Sequence, residues 1–235
     1  MKRQLATALA LTLATAFANP ASATAMYFAD VFAEVIITDI TGPSPGSDIL
    51  VDGDAFSSGL FEDSFGTGIV DPASVTTDFF GDGFALSNTV SGSAAPPLGG
   101  AVSDSLTDAF LILENISTTD TYSIELFIAG GATVSASVMD PFVEDALAAA
   151  IVEVDIDLAP VLTIELLADG LFGPPDDGDI GDEPVTVVLA PGDFVEITAI
   201  ADVFGFAEAF PVPEPGTLML ASLGLLGLAR VRRCA

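Results

Sequence analysis

The chain has 235 residues, of which 34 are acidic and five are basic, and it contains no histidine and no tryptophan. So few cations cannot neutralise a phosphate backbone, and this excludes nucleic-acid binding. All five basic residues lie near the two ends, at Lys2, Arg3, Arg230, Arg232 and Arg233. Of the 34 acidic residues only Glu214 lies beyond position 212, which leaves 33 carboxylates and no cation in the body of the chain.

A body with this charge repels itself and cannot form internal salt bridges. Three interpretations remain open: a surface adapted to salty or cation-rich water, specific Ca²⁺ sites, and a polycationic partner. The single cysteine, Cys234, follows the C-terminal arginines, so no disulfide can form within the body. Its stability must therefore come from packing and strand pairing, with metal as an open addition.

The first 25 residues have the pattern of a secretory signal peptide, which we expect to form a helix. Lys2 and Arg3 precede an apolar, alanine-rich run over 5–17, and small residues follow. Two small-x-small sites compete, one ending at Ala23 and one at Ala25, and we expect cleavage after Ala25. The segment implies the general secretion machinery and signal peptidase as processing partners.

Residues 26–207 predict a single β-rich domain, in which short runs of Phe, Val, Ile and Thr alternate with Gly, Pro, Asp and Ser clusters. We expect hairpin turns at Gly81-Asp82-Gly83 and at Pro191-Gly192-Asp193. Residues 144–150 suit a helix by propensity but a strand by context. Loops are expected over 47–68, 91–100 and 170–184, and a linker over 208–212. Strands are predicted at 27–40, 75–80, 84–90, 108–115, 121–128, 132–138, 152–157, 161–167, 185–190 and 194–206.

The C-terminal 23 residues, 213–235, form three successive parts. Pro213-Glu214-Pro215 is extended, because two prolines fix φ and remove two N–H donors. Residues 217–229 are apolar and helix-prone, but 13 residues span only about 20 Å of a ~30 Å hydrocarbon core. Snorkelling by Arg230, Arg232 and Arg233 and bilayer thinning would allow a marginal span, with these arginines as a cytoplasmic membrane stop.

This order of Pro-Glu-Pro triplet, Leu/Gly run and arginine cluster resembles the PEP-CTERM sorting signal of Gram-negative bacteria. The same tail also carries the label of an ice-binding protein C-terminal domain. The resemblance implies recognition by exosortase, a membrane-embedded cysteine transpeptidase, with cleavage near Pro213-Glu214-Pro215 and transfer of the body to a surface acceptor. A plain C-terminal membrane anchor is the alternative. The tail indicates where the protein goes and leaves its activity open.

Two features of the body also resemble exported PEP-CTERM proteins, whose exported part is a β-sandwich. One is the order of strand, Asn115-Ile116-Ser117, turn and strand, and the other is the Pro191-Gly192-Asp193 turn. We therefore expect an all-β, jelly-roll-like sandwich. The sequence has no regular Thr-x-Thr ladder, which argues against an ice-binding face.

The body contains few of the residue types that enzymes commonly use for catalysis. Without His, Lys, Arg or a usable Cys, most pairs of nucleophile and base are absent, and abundant carboxylates are not specific for glycoside hydrolysis. We expect no enzymatic activity.

Carboxylate clusters in two predicted loops are candidate Ca²⁺ sites, with solvated acidic loops as the alternative. The first contains two glycines but lacks the spacing of an EF-hand, since Gly181 stands where the third Asp or Asn should be. The second combines Asp48, Asp52 and Asp54 with Glu62 and Asp63. Residues of the first cluster are Asp176, Asp177, Asp179, Asp182 and Glu183.

The resemblance to PEP-CTERM proteins implies an exported structural protein of the cell surface or extracellular matrix, associated with exopolysaccharide or biofilm and held briefly at the inner membrane. The rival hypothesis is a Ca²⁺-dependent extracellular module that binds carbohydrate or another cell.

Overall fold

The computed structural model describes residues 24–211, which fold into ten β-strands and one short helix, α1 (Pro45–Asp48). The predicted signal-peptide helix and the predicted helix at 217–229 lie outside the described residues. The strands are β1 Ala25–Thr41, β2 Ile49–Gly66, β3 Ile69–Phe79, β4 Gly83–Ala94, β5 Gly99–Asn115, β6 Tyr122–Ser137, β7 Glu144–Ile156, β8 Ala159–Asp169, β9 Asp176–Leu189 and β10 Phe194–Ala209.

Two five-stranded antiparallel sheets pack face to face, which confirms the predicted all-β sandwich. The first sheet, sheet A, has the order β3-β4-β1-β6-β9, and the second, sheet B, has the order β2-β5-β10-β7-β8. Of the nine connections between strands, those from β3 to β4 and from β7 to β8 stay within a sheet, and the rest cross to the other sheet. Most strands adjacent in sequence therefore lie in opposite sheets.

Side chains alternate between a buried inner face and a wetter outer face in both sheets. In β1, the odd-numbered residues from Tyr27 to Val35 are buried, while the even-numbered residues between them reach the surface. The predicted alternation of 152–157 is confirmed, since Val152 and Val154 are fully buried and Glu153 is not. Alanine occupies many inner positions beside Val, Leu and Ile, and the largest fully buried side chains include Phe84 and Tyr122.

The prediction of a loop with short strand pieces over 47–68 is wrong, because β2 is a continuous strand of 18 residues there. It pairs with β5 from Ile49 opposite Asn115 to Gly66 opposite Gly99, with one irregularity between Ser57 and Gly59. Pairing along this whole length outweighs the weak β-propensity of its Gly, Asp and Ser residues.

The predicted acidic loop over 170–184 is also wrong beyond residue 175, since β9 begins at Asp176 and pairs with β6. One glycine in β6 and one in β9 make room for a side chain of sheet B. A Cβ at Gly130 or Gly181 would lie within 2.8 Å of the Leu162 side chain. Leu162, on β8, therefore packs into the space that these two glycines leave.

Three element boundaries differ from the prediction. Residues 121–128 and 132–138 form one strand, β6, because Gly131 gives room to the ring of Phe32 instead of ending the strand. The predicted break at 91–100 shrinks to 95–98, and the predicted linker loses residues 208 and 209 to β10. The ambiguous 144–150 segment is strand, as context favoured.

The two predicted hairpins have different outcomes. The one around Gly81-Asp82-Gly83 is confirmed, since β3 and β4 pair and Gly81 has a positive φ of 83°. The one at Pro191-Gly192-Asp193 is a turn but not a hairpin. It links β9 in sheet A to β10 in sheet B, so the strands on its two sides do not pair with each other.

Candidate functional site

The described part of the body ends in a strand that leads to the sorting segment. Strand β10 is the middle strand of sheet B and ends at Ala209, which pairs with Gly99 on one side and Glu144 on the other. The N–H of Phe210 then donates to the carbonyl of Val143 at 2.7 Å. Residues 210–212 separate this strand from the triplet and reach about 11 Å when extended.

The predicted sorting residues Pro213, Glu214 and Pro215 lie outside the described residues, as do Arg230, Arg232 and Arg233. The strand that precedes this segment, β10, is paired on both sides as far as Ala209.

The two candidate signal cleavage sites differ in their relation to the fold. Ala23 lies outside the described residues. Ala25 is the first residue of β1, is fully buried and pairs with Ala94. Cleavage after Ala25 would remove a buried residue from the middle strand of sheet A, whereas cleavage after Ala23 would keep it. The predicted cleavage after Ala25 stays a prediction.

The first predicted metal cluster lies along β9, where successive side chains point to opposite faces of the sheet. Asp176 and Asp182 lie on the outer face, and Asp177, Asp179 and Glu183 lie on the face toward sheet B. All five are exposed. The strand therefore separates the carboxylates that a curled loop would have gathered.

The second predicted cluster is also dispersed. Asp48 ends α1 and accepts a 2.5 Å hydrogen bond from the phenol of Tyr122. Asp52 and Asp54 lie near the start of β2. Glu62 lies at the other end of β2, where its carboxylate accepts from the N–H of Ala73 at 2.7 Å. Asp63 follows it.

Within residues 24–211, no group of three or more acidic side chains is close enough to hold one metal ion. The carboxylates have another role in the structure. On β2, Asp52, Asp54 and Asp63 each accept a hydrogen bond of 2.8–2.9 Å from the N–H of the next residue. On β9, Asp177 and Asp179 do the same at 2.9 Å. Both strands lie at sheet edges, where backbone donors lack a neighbouring strand.

A carboxyl pair that the sequence does not reveal lies on the outer face of sheet B. Asp202 and Asp104 lie on the neighbouring strands β10 and β5, and burial followed by the charges of Asp104 and Asp108 raises the pKa of Asp202. A shallow cavity of about 290 Å³ adjoins the pair, next to the irregularity in β2. Its remaining lining residues are Gly59, Leu60, Phe61 and Leu106.

The outer face of sheet A carries a second feature, which we name the hydroxyl stripe. The central strand β1 contributes Met26, Phe28 and Asp30, and each lies between two hydroxyl residues of the flanking strands β4 and β6. Phe28, for example, pairs with Ser91 on one side and Ser135 on the other. The other flanking pairs are Ser93 with Ser137, and Thr89 with Thr133.

The hydroxyl stripe borders a hollow of about 300 Å³. At the edge of the hollow, the Ser91 hydroxyl donates to the Asp71 carboxylate at 3.0 Å. The stripe thus combines one half-exposed aromatic ring with several side chains that can both donate and accept hydrogen bonds. Pairing across three strands creates it, and β1 alone contains none of its hydroxyl groups.

Comparison with known families identifies the C-terminal segment. A family model described as the PEP-CTERM protein-sorting motif matches residues 211–233, immediately after β10. The predicted resemblance is therefore confirmed. The motif implies processing by exosortase, export, and transient membrane anchoring through the tail. Over the described residues 24–211, the structure contains no helix that is long and apolar enough to cross a membrane.

Other comparisons add little about the body. No curated protein matches the chain. Among solved structures, a trimeric ectodomain of the C. elegans fusion protein EFF-1 is similar at 6% identity and a TM-score of 0.09, over 78% of this chain and 68% of that chain. A likeness this weak carries no argument about fold or function.

Proposed function

We propose that the protein is a non-enzymatic component of the cell surface or extracellular matrix of a Gram-negative bacterium, associated with exopolysaccharide. It is exported, processed by exosortase at Pro213-Glu214-Pro215, and released from the inner membrane to the exterior. The sorting motif supports the route, and the hydroxyl stripe supports the association with polysaccharide.

The hydroxyl stripe is the observation that carries the binding part of this proposal. A sugar ring offers an apolar face and a rim of hydroxyl groups, and the Phe28 side chain with its serine neighbours offers the complementary chemistry. Weak contacts of this kind gain strength when many copies bind one long polymer. The high negative charge of the body favours a neutral polysaccharide over an acidic one.

The absence of basic residues from the body supports a non-enzymatic role. Residues 24–211 contain no His, Lys, Arg or Cys, so the common nucleophile and base pairs cannot be assembled there. The Asp104–Asp202 pair is the strongest acid–base arrangement in these residues, and it lies in an open, shallow depression. Such a depression cannot exclude water from a reaction.

Affinity electrophoresis tests the polysaccharide proposal. The body should be retarded in gels that contain a neutral polymer, hydroxyethylcellulose, and less retarded in gels that contain alginate. The triple variant Phe28→Ala, Ser91→Ala, Ser135→Ala should lose most of this retardation. The control Thr163→Ala, Thr198→Ala, Phe204→Ala likewise removes two hydroxyl groups and one phenylalanine ring, but from sheet B, and should behave like the wild type.

Unchanged mobility of the wild-type body in every polymer would contradict the polysaccharide association. Equal effects of the two triple variants would contradict the assignment to the hydroxyl stripe. Neither result would bear on the sorting route, because the route depends on the tail and is measured separately by the mass of the released protein.

A further inference from the structure

The two sheets have four edge strands, β2 and β3 at one side and β8 and β9 at the other. Proline interrupts three of them, with Pro72 in β3, Pro160 in β8 and Pro184 in β9. Proline on an edge blocks the addition of another strand, because it cannot donate a ladder hydrogen bond. Strand β2 is the longest edge at 18 residues and contains no proline.

The backbone donors on the free side of β2 form a single row. Gly53 and Ala55 are two residues apart, so their N–H groups point the same way. The extra residue between Ser57 and Gly59 shifts the alternation by one, which puts Ser64 into the same row. These are the three N–H groups that bind the carboxylates of Asp52, Asp54 and Asp63. The carboxylates thus occupy donors that a neighbouring strand would otherwise use.

Strand β2 also exposes an unusual amount of apolar surface. Its five exposed large hydrophobic side chains are between 44% and 57% accessible, and they are Leu50, Phe56, Leu60, Phe61 and Phe65. Such side chains are costly on a free edge and are covered when another strand is added. The surface therefore combines backbone donors and apolar side chains in the manner of a strand-addition site.

The negative charge of the body determines which kind of strand can add to the free edge of β2. A second copy of this body would bring further carboxylates and no cation to the edge, so it would be repelled. A lysine or arginine side chain would instead bind a carboxylate of β2 and release the backbone N–H that this carboxylate holds. The released donor would then bond to a carbonyl of the incoming strand. The carboxylates would thus block the backbone donors of β2 against any strand that lacks cationic side chains.

We propose that the free edge of β2 docks an extended peptide segment in which Lys or Arg alternates with apolar residues. The segment adds to sheet B as a sixth strand. Its cationic side chains bind Asp52, Asp54 and Asp63, and its backbone takes the N–H groups of Ala55 and Ser64. This surface is separate from the hydroxyl stripe, which lies on the other sheet.

The test measures binding of a labelled peptide of about twelve alternating Lys and Val residues, long enough to extend from Asp52 to Asp63 along β2, to the purified body. The key variant is Ala55→Pro with Ser64→Pro, which keeps every charge and removes two donors from the free side of β2. Gly53 is left unchanged, because a Cβ there would lie 2.4 Å from the carbonyl oxygen of Phe110. We expect the proline variant to bind about tenfold more weakly, as two lost hydrogen bonds imply.

Two controls separate strand addition from simple attraction of a polycation. The variant Glu34→Ala, Glu125→Ala, Glu153→Ala removes three charges from strands inside the sheets and should change affinity by less than about threefold. A peptide N-methylated at its valines keeps its charge but lacks the backbone donors. Its affinity for the wild-type body should be about as low as the affinity of the unmethylated peptide for the proline variant. Circular dichroism and melting temperature establish that each variant is folded.

The proposal is wrong if the proline variant and the wild type bind the peptide equally, or if N-methylation has no effect, because binding would then be ionic alone. It is also wrong if the free body dimerises and the two prolines abolish the dimer, because the occupant of the edge would then be a second copy.

Discussion

The side-chain amide of Asn115 donates a 2.9 Å hydrogen bond to the carbonyl oxygen of Ala190 and so ties together two crossover connections. Asn115 ends β5 and is fully buried, and Ala190 follows β9. The same amide lies within 3.0 Å of the carbonyls of Asp120 and Leu189. Its oxygen accepts from the N–H of Ser117 at 3.0 Å. One side chain thus satisfies backbone groups of both connections.

Replacement of Asn115 should therefore be among the more costly single changes in the body. Asn115→Asp replaces a donor by a carboxylate that faces three carbonyl oxygens, and we expect a loss of about 2–4 kcal/mol in the free energy of unfolding at neutral pH. Urea denaturation measures the loss, which should shrink at acidic pH as the new carboxyl group regains a proton. Asp120→Asn, in the same connection, is the control and should be nearly neutral, since Asp120 contributes its backbone carbonyl. Equal stabilities of the two variants would contradict the role of Asn115.

The opposite end of the sandwich depends on the fit of Tyr27 against glycine. A Cβ at Gly205 would lie 2.0 Å from a ring carbon of Tyr27, whose hydroxyl bonds to the Ser103 hydroxyl at 2.7 Å in the core. Gly205→Ala should displace this ring and cost about 1–3 kcal/mol, as overpacking does. Gly46→Ala is the matched control, because nothing lies within 4 Å of a Cβ there and its effect should be small. Thermal melting of both variants checks the difference, and an unaltered melting temperature for Gly205→Ala would show that the core adjusts freely.

The Asp104–Asp202 pair predicts a specific pH dependence. Burial first, and then the charge of Asp104, raise the pKa of Asp202 above its ordinary value of 3.8. The group therefore binds its proton more tightly in the folded state, and its stabilising contribution is complete below pH 3.8 and is lost as the pH rises through the folded pKa. Asp202→Asn removes this dependence and should be more stable than the wild type at neutral pH.

The decisive measurement is the difference in melting temperature between Asp202→Asn and the wild type across pH. We expect the difference to be largest at pH 7 and to vanish as the pH falls to about 3.8, where the wild-type carboxyl group is also neutral. Taking the difference cancels the titration of the other carboxylates. A difference that stays constant with pH would contradict the raised pKa. Glu153→Gln, a carboxylate of the neighbouring strand β7, provides the comparison for the removal of one negative charge.

The response to divalent cations distinguishes the structural role from the Ca²⁺-dependent module. The candidate carboxylates are dispersed along β2 and β9, so we expect Ca²⁺ and Mg²⁺ to stabilise the body equally by screening its charge. Calorimetry with each ion at matched ionic strength, followed by EDTA, measures this. A specific site would instead give a chelator-sensitive stabilisation by Ca²⁺ alone, of about 2.7 kcal/mol at a concentration 100 times the Kd.

The fold class could be predicted from the sequence because alternation is a local signal. The inner residues of β6 and β7 alternate with polar ones clearly enough to be read directly, and the Gly81-Asp82-Gly83 turn identifies its own hairpin. The strands β2 and β9 were missed because their composition is that of a loop. They are strands because β5 and β6 provide long partners, and such a partner is visible only after the sheet has formed.

The sorting tail could be predicted for the same reason, since all its parts are contiguous. The surface features could not, because each depends on distant residues that pairing brings together. Phe28 gains its hydroxyl neighbours from β4 and β6, and Asp202 meets Asp104 only because β10 pairs with β5. The acidic runs depend on pairing in the same way. Carboxylates of the candidate metal clusters, such as Asp52 and Asp177, bind N–H groups of the edge strands that carry them, and the sequence does not show that these strands form.

The short distance between the body and the sorting triplet leads to a final prediction. Residues 210–212 provide about 11 Å of extended chain between Ala209, which is paired on both sides, and Pro213. Deleting these three residues should bring the end of sheet B, where β10 stops, against the membrane-embedded transpeptidase and strongly reduce processing. Inserting three Gly or Ser residues after Phe210 should leave processing intact. Intact mass of protein from the cell exterior and from the membrane fraction measures the outcome. Variants Pro213→Ala and Pro215→Ala keep the normal spacing. They distinguish a triplet that the transpeptidase no longer recognises from a triplet that is too close to the body to enter it. Normal release of the deletion variant would mean that the triplet is cleaved without this clearance, or that the body folds only after cleavage. Pulse labelling of folding against release decides between these two.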